Sequence, residues 1–185
     1  GSAAAALDAL PAIARAAGVT GYAPCPEGEA LAELAAGRKA GARLVCYGAP
    51  DYPPDLMDLP DAPPVLWALG DPRLLLRPMV AVVGARNASS LGLRMARRMA
   101  EGLAAEGIAV VSGLARGIDA AAHEGALAGG TVAVHAGGVD VVYPAENADL
   151  AARIAARGAR LAELPPGAEP QARHFPQRNR IVSGL

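Results

Sequence analysis

The chain has 185 residues, of which 52% are hydrophobic and 19% charged, and its formal net charge is −1. This length and hydrophobic content predict a substantial core, and we expect a main domain over residues 41–185 and a small helical domain over residues 1–40. The near-zero charge excludes a uniformly basic nucleic-acid binder, so a polyanion site must be a local patch within residues 79–185, where 11 basic side chains outnumber 9 acidic ones.

Cysteine usage and the length of apolar runs indicate where the protein works. Cys25 and Cys46 lie far apart, without the spacing of a zinc or redox pair, which favours a reduced, cytoplasmic protein. No apolar run approaches the length of a membrane span, and the first residues lack the basic start of a signal peptide, so we expect no membrane contact. Gly1 and Ser2 resemble residues left over from expression.

The first 78 residues predict short elements separated by proline and glycine. We expect helices over residues 3–17 and 29–36 and strands over residues 44–47 and 65–70. Pro11 should start a fresh helix, because proline lacks the N–H group that a helix interior needs. Gly37 should follow the end of the second helix, and Trp67 should anchor a core.

The most informative run is 79–119. Residues 79–83 are continuously apolar and rich in β-branched side chains, which predicts a strand buried on both faces of a parallel sheet. Residues 90–106 predict an amphipathic helix with an apolar stripe at every fourth position. The stripe consists of Leu91, Met95, Met99 and Leu103. Gly107 should end this helix, and residues 108–111 predict the next strand of a βαβ unit.

The same alternation continues through the next fifty residues. We expect helices over residues 118–128 and 147–157, the second capped by Asn147, and strands over residues 131–134 and 159–163. Strands that alternate with helices in this way predict an α/β fold, namely a Rossmann-like, doubly wound, mainly parallel sheet with helices on both faces.

Glycine-rich loops follow at least three of the predicted strands and should meet at the carboxyl edge of the sheet, where ligands bind in this fold. Their glycines are Gly84, Gly113, Gly117, Gly137 and Gly138. Backbone N–H groups freed by glycine suit phosphate, and Arg86 and Arg116 can add charged contacts. The sequence therefore predicts a phosphate-binding edge.

Three functional classes compete for this edge. A dinucleotide site is disfavoured, because the first loop has the sequence GARNAS and not GxGxxG, and we expect no cofactor. A nucleotide hydrolase of the phosphoribohydrolase type is the main alternative, although the closest string, residues 136–140, lacks the later glycine and threonine of the PGGxGT loop. A purely structural module does not explain why arginines cluster at the strand ends.

Residues 171–180, QARHFPQRNR, combine positive charge with the single phenylalanine of the chain. Arg173, Arg178 and Arg180 surround Phe175 there. Arginines that bind phosphate beside a ring that stacks on bases are typical of a single-strand binder. The alternative is a solvated basic loop with Phe175 folded into the core, and the stretch alone favours neither.

Other polar residues have structural explanations. Asp119 and His123 are four residues apart on a predicted helix, but no third metal ligand is apparent and Asp119 suits a helix start. Ser112 lacks the surroundings of a nucleophile and should form a hydrogen bond in its loop. Glu163, at a strand end, should either orient an arginine or repel phosphate. We expect no metal site and no catalytic residue.

Five strings resemble, in order, the successive signatures of the DNA-processing protein A family (DprA, also called Smf). They are VAVVGAR, SGLARGIDAAAH, GGTVAV, YPAEN and FPQRNRIVSGL. The pair Tyr52-Pro53 and the string PPVLWALGD resemble the stretch that precedes the sheet of this family. The resemblance covers residues 44–185, and the part before it corresponds only by position to the helical N-terminal domain of the family.

This resemblance implies a function. Members of the family bind single-stranded DNA with a Rossmann-like domain during natural transformation, protect it and help load the RecA recombinase, and they are not known as catalysts. By position it implies DNA contacts from Gly84 and Arg86, from the loop 113–117, and from Phe175 and the segment Arg178-Asn179-Arg180. The expected partners are single-stranded DNA and RecA, and a homodimer is possible.

Two departures from the family matter. Ala85 stands where the family usually has serine, so a phosphate-binding hydroxyl is missing, and backbone N–H groups with Arg86 must make that contact. The sheet of the family continues beyond the RNR segment, whereas this chain ends at Leu185. We therefore expect the C-terminal part of the sheet to be truncated, and the RecA-binding and self-association surfaces to lie largely in the later part.

Overall fold

A computed structural model describes residues 3–185 and divides into two compact units, with the boundary between Ala35 and Ala36. The expectation for Gly1 and Ser2 lies outside the described residues. The first unit contains helix α1 (Ala3–Ala16) and most of helix α2 (Glu27–Lys39). None of the helices within residues 3–185 combines the length and the apolar character that crossing a membrane requires.

Both helices continue through residues at which the sequence predicts a break. Pro11 lies inside α1, so the predicted restart is wrong. The alanine-rich sequence around it has a high helix propensity, which offsets the missing N–H group. α2 runs through Gly37. Glycine is needed inside this helix because Trp67 packs against the backbone there: a Cβ atom at position 37 would lie 2.0 Å from Cζ3 of Trp67. Trp67 is 2% exposed and is the predicted core anchor.

The second unit, residues 36–185, is built on a six-stranded sheet. The strands are β1 (Arg43–Cys46), β2 (Val65–Gly70), β3 (Met79–Ala81), β4 (Ala109–Ser112), β5 (Thr131–Gly138) and β6 (Ala159–Leu164). Their order is β1-β2-β6-β5-β4-β3. β3 to β6 are parallel, whereas β2 pairs antiparallel with both β6 and β1. The predicted Rossmann-like, mainly parallel sheet is confirmed.

Helices cover both faces of this sheet. They are α3 (Ser90–Ala105), α4 (Ile118–Ala126), α5 (Ala148–Arg157) and α6 (His174–Gly184), with short 3₁₀ helices at Pro54–Asp58, Pro72–Leu76 and Ala145–Asn147. Neighbouring residues of β4 point to opposite cores: Val110 packs with Ala122 of α4, and Val111 belongs to the same core as Ile181 of α6. α6 contains the basic stretch, for which the sequence predicts no regular element.

β3 lies at one edge of the sheet within residues 36–185, and its exposed side chains contradict the prediction of a strand buried on both faces. It pairs with β4 on one side, and its regular part ends at Ala81. Val80 is 40% exposed and Val83 is 58% exposed. An apolar, β-branched run marks a strand but does not specify whether the strand is central or at an edge.

The helix α3 begins and ends close to the predicted bounds but buries a different stripe. Of the predicted apolar stripe, Leu91, Met95 and Met99 are exposed and only Leu103 packs against a core, whereas the buried residues of α3 are Ala96, Ala100 and Ala104. The residues at the contact between α3 and α4 are small because the two helices approach closely: a Cβ atom at Gly125 of α4 would lie 2.3 Å from the carbonyl oxygen of Arg97 of α3. The apolar stripe with the larger side chains therefore lies at the surface.

Candidate nucleic-acid interface

The loops that follow β3 and β4, residues 82–89 and 113–117, meet at the carboxyl edge of the sheet. Gly117 has a φ angle of 76°, and a Cβ atom there would lie 2.2 Å from the carbonyl oxygen of Ala85. The amide of Ile118 donates to this same oxygen at 3.2 Å. Glycine at position 117 thus lets the two loops touch through their backbones.

One carboxylate joins the two loops. Asp119 is the second residue of α4 and is 6% exposed. It accepts hydrogen bonds from the amides of Gly84 at 3.3 Å, Gly113 at 3.1 Å and Ala115 at 3.4 Å. The amides of Gly84 and Gly113 therefore already donate to an anion within the chain, and the predicted contact of these two glycines with DNA stays a prediction.

Two side chains that donate N–H groups, a guanidinium and a carboxamide, hold the second loop from its other side. Nη1 of Arg178 donates to the carbonyl oxygen of Gly113 at 2.7 Å and also to that of Val134. Asn147 stands at the predicted N-cap position of α5, but its side chain makes no capping hydrogen bond, since its Nδ2 donates instead to the carbonyl oxygen of Leu114 at 2.9 Å. Leu114 has a φ angle of 57°, which costs about 1–3 kcal/mol, so these bonds stabilise a strained backbone.

Two arginines of α6 that are predicted to contact DNA have partners within the chain. Arg178 is 8% exposed, and burial lowers the pKa of its guanidinium while the charge of Asp119 raises it. Arg180 forms ion pairs with Glu163 at 2.5 Å and with Asp61 at 2.9 Å. Of the two alternatives for Glu163, orienting an arginine is the one observed. Both arginines therefore support the site from within the fold.

A cavity of about 450 Å³ opens beside the two loops. The side chains around it include Arg86, Asn87, Arg116, Tyr143, Phe175 and Arg178. Among the described residues that line it there is no carboxylate. The backbone amides of Arg86 and Asn87 have no acceptor within residues 3–185, so the donors open to a ligand lie two or three residues beyond Gly84.

Phe175, in the first turn of α6, lies at the centre of an aromatic and cationic cluster. Its ring centroid is 5.6 Å from that of Tyr143, with the ring planes at 60°. Cζ of Arg86 lies 5.6 Å from the Phe175 centroid, within the range of a cation–π contact. Phe175 is half-buried and belongs to none of the hydrophobic cores formed by the described residues, which favours the stacking alternative over a core plug.

Tyr143 is the residue of this cluster to which the sequence assigns no role, although it begins the string YPAEN. It is 54% exposed and reaches Phe175 from a different loop. The available signal is an aromatic residue that follows a glycine loop near the carboxyl edge. Its contact with Phe175 depends on tertiary structure, which the spacing in the sequence does not reveal.

The remaining predicted contacts in the loops and α6 are exposed. Arg116 lines the cavity, and its Nε lies 3.0 Å from Oε1 of Glu146. Asn179 lines an adjoining cavity of about 530 Å³ on the β3 side. Arg173 lies outside the lining of both cavities and donates to His174 at 3.3 Å.

Gly137 and Gly138 do not form a strand-end loop, because β5 extends through both of them. A Cβ atom at Gly137 would lie 2.6 Å from the carbonyl oxygen of Ala168, and one at Gly138 would lie 2.6 Å from that of Pro165. The amide of Gly138 donates to Ala168 at 2.8 Å. These glycines let the loop after β6 pass close to β5, which gives them a structural role, and their predicted DNA contact stays a prediction.

Asp119 and His123 point to different partners. Nδ1 of His123 lies 2.7 Å from Oγ1 of Thr131, whereas Asp119 accepts from backbone amides. Within the described part of the chain, no three His, Cys, Asp or Glu side chains are grouped to hold a metal ion. Oγ of Ser112 donates to the carbonyl oxygen of Val82 at 2.7 Å, as expected of a hydrogen-bonding residue.

Two family models match the chain. Residues 43–185 match DNA recombination-mediator protein A, and residues 1–36 match the DprA-like N-terminal HHH domain. Protein Smf of Synechocystis is 44% identical over 144 residues, which are 74% of this chain and 36% of that protein. The chain spans between a third and about half of the length of the curated relatives it matches.

Two solved structures have the same fold. DprA from Streptococcus pneumoniae has a TM-score of 0.73 and 42% identity, covering 77% of this chain and 50% of that one. DprA from Helicobacter pylori, whose structure is described for its mode of binding single-stranded DNA, has a TM-score of 0.72 and 30% identity, covering 77% and 65%. With the family match over residues 43–185, these relatives show that the chain belongs to the DNA recombination-mediator protein A family, also named DprA or Smf.

Proposed function

We propose that this chain binds single-stranded DNA in the cavity between the two loops and the first turn of α6. The observation that carries the proposal is the cluster of Phe175, Tyr143 and Arg86 in an open cavity lined without carboxylates. A half-exposed ring can stack on an unpaired base, and a guanidinium beside it can hold the adjoining phosphate. The shared fold with the Helicobacter pylori protein supports this.

The phosphate contacts belong to groups at the tips of the loops. Arg86 and Arg116 are exposed and line the cavity, and the amides of Arg86 and Asn87 lie beside them. The guanidinium groups of Arg178 and Arg180 are held by intramolecular partners and position the cavity wall. A strand that passes between the two loop tips can therefore bind both arginines while a base reaches Phe175.

We further propose that the whole protein acts in natural transformation, where it binds and protects incoming single-stranded DNA and helps RecA load onto it. Membership of the family supports this role and supports a homodimer. The two free cysteines, Cys25 and Cys46, fit a reducing compartment, so the proposed location is the cytoplasm.

The proposed activity is binding without turnover. A nucleotide hydrolase needs an acid or a base at the reacting atom, whereas the cavity presents arginine, asparagine and aromatic side chains. Incubation of the protein with nucleoside monophosphates is expected to release no free base. Measurable turnover, detected by chromatography of the products, would favour the phosphoribohydrolase alternative.

Fluorescence anisotropy with a labelled single strand and with its duplex tests the proposal directly. We expect the single strand to bind more tightly, because a paired base cannot stack on Phe175. The affinity should also fall steeply as salt rises, since counterions are released from DNA on binding. A preference for duplex, or binding that is insensitive to salt, would contradict the proposal.

A further inference from the structure

We infer that Asp119 is a positioning residue of the proposed DNA interface. Its carboxylate is an internal anion between the ends of β3 and β4 that holds both loops in the form that binds a single strand. The inference rests on the proposed function and adds a residue that does not itself contact DNA. It also concerns specificity, since the same carboxylate keeps the phosphate of a free nucleotide out of this position.

Three backbone N–H groups from two loops converge on this carboxylate. Oδ1 accepts from Gly84, and Oδ2 accepts from Gly113 and Ala115, at distances of 3.3, 3.1 and 3.4 Å. Backbone amides that converge in front of a helix N-terminus bind phosphate in nucleotide-binding α/β proteins. Here a side chain of the protein supplies the anion.

These three amides are the hydrogen-bond partners of the Asp119 carboxylate. Within residues 3–185 it forms no salt bridge, although it is 6% exposed. The guanidinium of Arg178 donates instead to the carbonyl oxygens of Gly113 and Val134. Removal of the carboxylate would leave buried or half-buried amides without an acceptor, and the loops would have to move to satisfy them.

The residues that Asp119 holds are adjacent to the proposed phosphate-binding arginines. Arg86 is two residues after Gly84, and Arg116 is next to Ala115. Both arginines therefore take their position from an amide bound to the same carboxylate. A shift of either loop would separate the two guanidinium groups from each other and from Phe175.

The wall of the adjoining cavity, of about 530 Å³, includes Asp119, Gly84 and Gly113, so a small anion can reach this position if the carboxylate is removed. The first test is Asp119→Ala in the full chain, with single-strand affinity measured by anisotropy in sodium formate and in sodium chloride at equal concentration. In chloride, Asp119→Ala should bind the single strand about fivefold more weakly than the wild type, or weaker still. Formate should restore most of it, because its carboxylate can accept from the same amides.

Asp140→Ala is the matched control. Asp140 also accepts from a loop amide, that of Gly167 at 2.8 Å, but it does not line the cavity. The affinity of the Asp140→Ala variant for the single strand should equal that of the wild type in both salts. An unchanged affinity of Asp119→Ala, or a loss that formate does not restore in the folded variant, would overturn the inference.

If circular dichroism shows that Asp119→Ala does not fold, Asp119→Asn replaces it. A wild-type affinity of Asp119→Asn for the single strand would overturn the inference equally.

Calorimetry with inorganic pyrophosphate gives a measurement that does not depend on DNA. Asp119→Ala should bind pyrophosphate at one more site than the wild type, because only in the variant are the amides of Gly84, Gly113 and Ala115 free. Equal binding to both proteins, or to neither, would overturn the proposed exclusion of nucleotide phosphate. If the two proteins differ in pyrophosphate binding as expected but the wild type fails to bind single-stranded DNA, the proposed function is wrong, while the role of Asp119 as an internal anion is supported.

Discussion

The side chain of Phe175 meets two requirements of a stacking residue: it is partly exposed, and Arg86 and Tyr143 fix its ring. We predict that Phe175→Ala weakens single-strand binding about 5- to 150-fold, since stacking contributes about 1–3 kcal/mol per base. The melting temperature should change little, because Phe175 is outside the hydrophobic cores of residues 3–185. Anisotropy and a thermal melt of the same sample check both parts.

Tyr47→Ala is a suitable control for this prediction. Tyr47 is 52% exposed and contacts another ring, that of Tyr52, but it lies outside the lining of the cavity. The control should bind the single strand as the wild type does. If Phe175→Ala instead lowers the melting temperature strongly and leaves affinity unchanged, Phe175 is a packing residue and the aromatic part of the proposed function is lost.

Arg86 allows a second prediction for a single side chain. It is exposed at the first loop tip and borders both cavities at this edge of the sheet. Arg86→Ala should weaken binding to all sequences to a similar extent and reduce the slope of log affinity against log salt by about 1, because a phosphate contact is lost. Titrations of two homopolymers over a range of salt concentrations measure both effects.

The control for Arg86 is Arg73→Ala. Arg73 is an exposed arginine paired with Asp71 and does not line the cavity, so its loss should leave the salt slope unchanged. A loss of affinity in Arg86→Ala that is confined to one base composition would show a contact with base edges, in contradiction to the phosphate role.

At the scale of elements, the sequence predicts most strands and helices but not their positions in the sheet. Alternation of apolar strands and amphipathic helices identifies β3 to β6 and α3 to α5, because that periodicity is local. The edge position of β3 depends on which strands pair with it, which is a long-range property. For the same reason the sequence does not show that α3 buries its alanines, since the close approach of α4 decides this.

The two loops depend on one glycine, which gives a prediction at this scale. Gly117→Ala should lower single-strand affinity and the free energy of unfolding, because its Cβ atom would lie 2.2 Å from the carbonyl oxygen of Ala85. The left-handed backbone alone should cost about 1–3 kcal/mol, and separating the loops adds to it. Gly48→Ala is the control for a positive φ angle without a close contact, since Gly48 has the same φ angle of 76° and no atom within 4 Å of its Cβ position.

Urea denaturation and anisotropy of both glycine variants make the comparison. Gly117→Ala should unfold at a lower urea concentration than Gly48→Ala and should be the variant that loses affinity. Equal stability and equal affinity in the two variants would show that the close contact of the loops has no role in binding.

In the second unit as a whole, the candidate site combines segments that are distant in the sequence. The sequence predicts Arg86, Arg116 and Phe175, because glycine loops at strand ends and an aromatic residue in a basic stretch are local patterns. It does not predict that Tyr143 meets Phe175 or that Asp119 binds three amides, because those contacts form only when β3, β4 and α6 are assembled. At Gly137 and Gly138 the sequence predicts a loop that binds a ligand, whereas in the structure these glycines lie in β5 and allow close packing of the loop after β6.

Two buried histidines lie in the interior of this unit. Burial and, to a smaller extent, the charge of Arg178 lower the pKa of His123 to about 3, and burial with the charge of Arg160 lowers the pKa of His135 to about 3. Nε2 of His123 has no partner in the described residues, and Nε2 of His135 accepts from Nε of Arg160 at 3.0 Å. Both imidazoles are therefore neutral in the folded state, and protonation would break these arrangements.

We predict that the free energy of unfolding falls as the pH is lowered from 6.5 towards 3. In this window the unfolded chain binds a proton at each histidine while the folded chain does not, so acid favours unfolding, and the full stability is present only above about pH 6.5. Each histidine should contribute a loss of about 2 kcal/mol at pH 5, from about 1.4 kcal/mol per pH unit.

Urea denaturation at pH 7, 6 and 5 measures the loss for the wild type and for His123→Gln. Carboxylates titrate in both chains, so the difference between them isolates the histidine, and the variant should lose about 2 kcal/mol less than the wild type between pH 7 and pH 5. Parallel curves for the two chains would show that His123 is not neutral and buried in the folded protein.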